Sequence, residues 1–130
     1  MQKEIYQSSR YFTFFDYLSS HGQLLIRSKK DEEYKSNIDI IFFDTSFIKL
    51  FTMLHGLKIK IINKNDFSEY NLVRTYLSYE NNNLFEIESG DERYYIAASF
   101  FRVFENNLEF NETSLGILHK GRENEIASSC

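Results

Sequence analysis

The stretch Ser9-Arg10-Tyr11-Phe12-Thr13-Phe14-Phe15-Asp16-Tyr17-Leu18-Ser19-Ser20 decides whether this chain mixes helices with sheet. Tyr11, Phe14, Phe15 and Leu18 fall at i, i+3, i+4 and i+7, the spacing of one helical face. Ser8 or Ser9 can cap the start of such a helix, and Gly22 is placed to end it in the left-handed conformation. Alternation of period two is poor here, so the spacing predicts a helix over residues 9–20.

Outward from that stretch the signals are mostly those of strands. Gln23 to Ser28 reads as a strand, followed by the charged turn Lys29-Lys30-Asp31-Glu32-Glu33. Ile38 to Phe43 is apolar on both faces except for Asp39, which predicts a central strand covered on both sides. Phe47 to Phe51 reads as another strand. Gly56 suits a tight turn, and Leu57, Ile59 and Ile61 then alternate with Lys58 and Lys60 as a half-buried strand with a basic outer face. Asp66-Phe67-Ser68-Glu69 has the form of a capping box, and Tyr70, Val73 and Leu77 continue a helical stripe to about Ser78. Leu84 to Ser89 and Glu92 to Ala97 flank Gly90-Asp91 as a hairpin. Ala97, Phe100, Phe101, Phe104 and Leu108 return to helical spacing, which predicts a helix starting near Ala98.

Close spacing of the strands favours antiparallel connections. The expectation is a single α+β domain over residues 1–119. It has a mainly antiparallel sheet of five or six strands with two or three short helices packed on it. Residues 120–130 lack a core pattern and are expected to form a flexible tail.

The chain has 130 residues and a net charge of −4, which argues against a nucleic-acid coat with a basic face. Proline is absent, and Phe, Tyr, Ile, Asn and Lys are abundant while Gly, Ala and Arg are scarce. That bias follows AT-rich codons, so the 13 Phe and 9 Tyr are not by themselves a binding surface. The N-terminus lacks the apolar core of a signal peptide, and no apolar run approaches the roughly 20 residues of a membrane helix. A cytoplasmic protein without membrane or nucleic-acid partners is expected.

Motifs for chemistry are sparse. His21, His55 and His119 have no second ligand at metal spacing, and the five glycines form no phosphate-binding loop. His21 fits the last turn of the first helix, favoured there by the helix dipole. Cys130 is the one cysteine and ends the chain, so no disulfide framework exists, and its thiol lacks a fixed base. No metal or cofactor is expected. Asp39 inside an apolar strand must face water or find a partner. Asp44-Thr45-Ser46 reads as a turn, and an active-site acid at a strand end has the same appearance. Glu86 and Glu88 share a strand face, with Asp91 and Glu92 following in the turn. A hydrolase built on Asp39, Asp44, Glu86 or Glu88 would need these acids to converge in one pocket.

Charge is distributed unevenly. Residues 1–65 carry a net +3 and residues 66–130 a net −7. Glu80, Glu86, Glu88, Asp91 and Glu92 are the candidate contact residues of an acidic surface that would steer a basic partner. Tyr79, Tyr94 or Tyr95 would supply aromatic anchors on that sheet.

The stretch Phe14-Phe15-Asp16-Tyr17-Leu18-Ser19-Ser20-His21-Gly22-Gln23-Leu24-Leu25-Ile26-Arg27-Ser28, with Asn37-Ile38-Asp39-Ile40-Ile41-Phe42-Phe43, resembles small immunity proteins. These are encoded beside polymorphic toxins of Gram-positive bacteria, notably those with an LXG secretion domain. Tyr94-Tyr95-Ile96-Ala97-Ala98-Ser99 and Val103-Phe104-Glu105-Asn106 extend the likeness to about a third of the chain. The resemblance implies a cytoplasmic, non-enzymatic protein that binds and blocks a cognate toxin domain, often a nuclease. It carries no catalytic residues with it.

Overall fold

The computed structural model describes residues 3–67 and 82–130. Among the described residues nine strands form one antiparallel sheet: β1 (Lys3–Leu18), β2 (Gln23–Ser28), β3 (Asn37–Phe43), β4 (Phe47–Lys49), β5 (Met53–Ile62), β6 (Asn83–Ser89), β7 (Glu92–Ala98), β8 (Phe100–Asn106) and β9 (Glu125–Ser128). The one helical element among them is a 3-10 turn, Lys64–Asp66. The expected α+β class is therefore corrected to an all-β antiparallel architecture. The helix expected from Asp66 lies outside the described residues apart from its first two positions.

Neighbouring strands run in the order β4-β7-β6-β5-β1-β2-β3-β8-β9. The registers show that this sheet closes on itself. β3 pairs with β8 from Asn37↔Asn106 to Phe43↔Phe100, and β4 continues along β7 from Phe47↔Ala97 to Lys49↔Tyr95. The same two runs of chain, 37–49 and 95–106, thus pair along their whole length, each bent once. Ser99 N–H donates to the Phe43 carbonyl at 2.9 Å and Ser46 N–H to the Ala97 carbonyl at 2.8 Å, so the ladder crosses both bends. Ring distances agree. In an open sheet of this order, β3 and β6 would lie four strand spacings apart, about 19 Å. The rings of Phe42 and Phe85 are 5.7 Å apart, and both meet Phe101 at 5.4 and 5.3 Å. The molecule is a barrel with its interior filled by side chains.

Buried interior residues come from seven strands: Phe12, Leu24, Ile26, Ile38, Ile40, Phe42, Leu54, Ile59, Phe85, Ile87, Ile96, Phe101 and Val103, with Ile48 of β4 and Ala127 of β9 packed against them. Burying each large apolar side chain contributes about 1.5–3 kcal/mol. The 9–20 helix is overturned by β1, and the reason is local. Phe12 and Phe14 point inward, but a bulge between Phe14 and Asp16 shifts the alternation. Phe15 and Leu18 then join an outer cluster with Leu25, Ile41, Phe104 and Leu115. A bulged strand with apolar side chains on both faces has copied the spacing of a helix. β8 replaces the helix expected near Ala98 for a related reason: Phe101 and Val103 fill the barrel while Phe104 faces the outer cluster.

Residues 107–122 form that outer cover over β2, β3 and β8. The stretch expected to fray contains β9, whose Ala127 packs on the barrel interior and pairs with Val103. Gly56, expected in a turn, lies inside β5 opposite a second β1 bulge and takes φ +75° there. His21 sits in the β1–β2 turn, since the helix it was expected to end is absent. Among the described residues no helix is long and apolar enough to cross a membrane.

Candidate functional site

The acidic strand is built by register. On β6 Glu86 stands opposite Lys60 and Tyr95, and Glu88 opposite Lys58 and Arg93. Arg93 Nη2 lies 3.3 Å from Glu88, Arg93 Nε 3.7 Å from Glu86, and Lys60 Nζ 3.9 Å from Glu88. Glu86 is 6% exposed and accepts the Tyr95 hydroxyl at 3.4 Å. Burial first, and the Glu86 charge second, hold the Tyr95 hydroxyl above its ordinary pKa. Glu86 and Glu88 are thus matched by Lys60 and Arg93 and do not form an unbalanced acidic face. Asp91 in the hairpin turn and Glu92 at the start of β7 remain exposed. Glu80 and Tyr79 lie outside the described residues. Tyr94, expected as an exposed anchor, is buried.

Asp39 is sealed from solvent and paired. Arg27 stands opposite it in register and grips it through Nε at 2.6 Å and Nη2 at 2.8 Å. Asn106 and Ser114 add hydrogen bonds to its Oδ2 at 3.0 and 2.7 Å. Arg27 also donates to the Glu112 carbonyl at 2.7 Å and stacks on Phe15. Asn37 ties Asn106 to the Leu108 carbonyl. This network pins the 107–122 cover to the barrel, and among the described residues no buried side-chain polar atom lacks a partner.

The acids of the hydrolase expectation do not come together. Asp39 is sealed under the cover, Asp44 is exposed at the β3–β4 bend, and Glu86 and Glu88 are paired on β6. Among the described residues no group of His, Cys, Asp or Glu has the makings of a metal site. His21 bonds to Ser20, His119 lies in the cover with φ +52°, and Cys130 is exposed.

A different surface emerges where β1 meets β5. Phe12 and Leu54 point into the barrel, so their neighbours point out. Tyr11 stands opposite His55 and Thr13 opposite Met53. The Tyr11 and His55 rings lie 4.8 Å apart. Phe51 packs on Tyr94 at 5.1 Å and stays 65% exposed, while Met53 is 57% and Tyr11 43% exposed. Beside this stripe a cavity of about 310 Å³ opens, walled by Tyr11, Thr13, Ser28, Lys29, Lys30, Asp31 and Tyr34, with buried Arg27 at its base. Arg10 holds its wall together. Its guanidinium lies 4.2 Å over Tyr34 and donates to Ser28 Oγ at 2.9 Å and to the Ser36 carbonyl at 2.7 Å. Asp31 Oδ1 accepts the N–H groups of Glu33 and Tyr34 and so shapes the loop.

Sequence reasoning missed this surface because it assigned Tyr11 to a helix and left Phe51 and Met53 without a face. Outward parity of Tyr11 and Met53 on paired strands was the signal, and it is readable only once β1 is a strand. No family model matches the chain, and no match is found among curated proteins or solved structures.

Proposed function

We propose that this chain is a non-enzymatic protein-binding module, most concretely an immunity protein that neutralises a bacterial toxin. The observation that carries the reading is the exposed group of Met53, His55 and Tyr11 on the outside of β5 and β1, with Phe51 exposed just before β5, running up to a cavity. Apolar and aromatic side chains gathered on one exposed face beside a pocket are what a hot spot is made of. A rigid barrel holds them in place without an ordering cost on binding. The resemblance of residues 14–28 and 37–43 to immunity proteins names the kind of partner. A basic toxin domain, expected from the acidic C-terminal half, would still meet exposed Asp91 and Glu92. Glu86 and Glu88 offer it little, because Lys60 and Arg93 already balance them.

The test is to mix the protein with the product of the adjacent reading frame. The two are expected to co-elute and the toxicity of the neighbour to be suppressed. Phe51→Ala with Met53→Ala should weaken the complex at least about tenfold, in line with hot-spot truncations. Absence of both complex and protection removes the reading.

A further inference from the structure

We propose that the cavity beside Tyr11 receives an acidic side chain of the bound protein, so that the partner meets this face with a carboxylate. This rests on the protein-binding reading and specifies its chemistry. The cavity's charges are unequally committed. Arg27 is already neutralised by Asp39. Asp31 turns one carboxylate oxygen onto two N–H groups of its own loop. Lys29 is exposed and makes no ion pair among the described residues. Lys30 donates to the Asn107 carbonyl at 2.8 Å, with Glu109 no nearer than 3.9 Å. Arg10, stacked on the cavity's Tyr34, spends its hydrogen bonds on the Ser28 hydroxyl and on the carbonyls of Ser28, Lys29 and Ser36. Three cationic groups thus stand in or against the wall with mostly neutral partners. The hydroxyls of Tyr11 and Tyr34 add donors beside them, while that of Thr13 is turned onto the Arg27 carbonyl. Lysine ammonium and phenol donors around a small cavity suit a carboxylate, through charge-assisted hydrogen bonds. A basic side chain placed there would meet Lys29 and Lys30 as like charges.

The experiment follows backbone amide shifts of the full-length protein during titration with a tetraglutamate peptide and, separately, a tetralysine peptide. Saturable shifts at residues 11, 13 and 28–34 are expected with tetraglutamate alone. Lys29→Glu, at an exposed position that spares the fold, should weaken that binding several-fold. Adding Lys30→Glu should bring the loss to about tenfold or more. No saturable shift with tetraglutamate, shifts indifferent to both reversals, or tetralysine binding at the same residues would each overturn the proposal. The two readings fail separately. Absence of a complex with the neighbouring gene product counts against the toxin-binding role and leaves the peptide result standing. A complex that forms but ignores Lys29→Glu keeps the role and removes the carboxylate.

Discussion

Two outer faces of the barrel carry the same kind of cross-strand charge pair and use it differently. Arg27 stands opposite Asp39 on β2 and β3, and Arg93 opposite Glu88 on β7 and β6. Residues 107–122 lie over the first pair, whose side chains are 1% and 0% exposed, while Arg93 keeps 47% of its side-chain surface. A pair left in water contributes little, because each ion keeps its hydration and salt screens both. A pair stripped of water is a commitment, since each ion then depends on the other and on the hydrogen bonds around it. The lesson is that the cover, not the pairing, sets the energetic weight of a charge here.

The sharpest way to break this comparison is to remove one acid from each pair. Asp39→Ala leaves Arg27 buried without a counter-charge and should cost about 3–5 kcal/mol. Glu88→Ala should cost less than about 1 kcal/mol. Urea unfolding of both variants checks this, and equal losses would dissolve the distinction between the faces.

A smaller effect separates two glycines. A Cβ on Gly121, at φ +79°, would sit 2.7 Å from Leu108 Cδ1 and 2.9 Å from Asn106 Nδ2, inside the network that holds the cover. Gly90, at φ +60° in the β6–β7 turn, has nothing within 4 Å of that position. Gly121→Ala should therefore lose about 2–3 kcal/mol, combining left-handed strain with overpacking. Gly90→Ala should lose only the backbone part, about 1 kcal/mol. Thermal unfolding distinguishes them, and a Gly90 variant as damaged as the Gly121 variant would refute the assignment.

The smallest effect concerns the rim of the cover. Glu112 accepts the Glu109 N–H at 2.8 Å and also pairs with Lys120. The backbone bond first, and Lys120 second, hold its carboxyl below the ordinary value of 4.5. Because the folded value is depressed, its contribution is complete above 4.5 and fades as pH falls through the lowered value. The Glu109 amide shift, followed by NMR, should titrate with a midpoint below 4.5. A midpoint at or above that value contradicts the hydrogen bond.

Much of the sheet was legible and its closure was not. β2 matches the expected Gln23 to Ser28, β3 extends the expected strand by Asn37, and the hairpin around Gly90-Asp91 is where turn chemistry put it. These strands announce themselves through alternation or through bounded apolar runs. β1 was hidden because its bulge between Phe14 and Asp16 moves Phe15 and Leu18 onto the outer cluster, and β8 because Phe104 faces that cluster too, which breaks period two. β9 was hidden because Glu125-Ile126-Ala127-Ser128 offers only Ala127 to the interior. The site suffered from both effects. Asp39 was readable as an acid needing a partner, but Arg27 becomes that partner only through register. Reading acids along the chain suggested a charged surface at Glu86 and Glu88, whereas the cations that balance them arrive from β5 and β7.

The long pairing of 37–49 with 95–106 also bears on how the polypeptide reaches this state during synthesis. A ribosome delivers β1, β2 and β3 first, and these can zip up as a meander. Their remaining partner is still untranslated, so a bare edge waits through more than half a hundred further codons. Strand pairings this distant along the chain are slow to form and prone to wrong neighbours in the meantime. The nascent protein is therefore most exposed to aggregation just before β8 emerges.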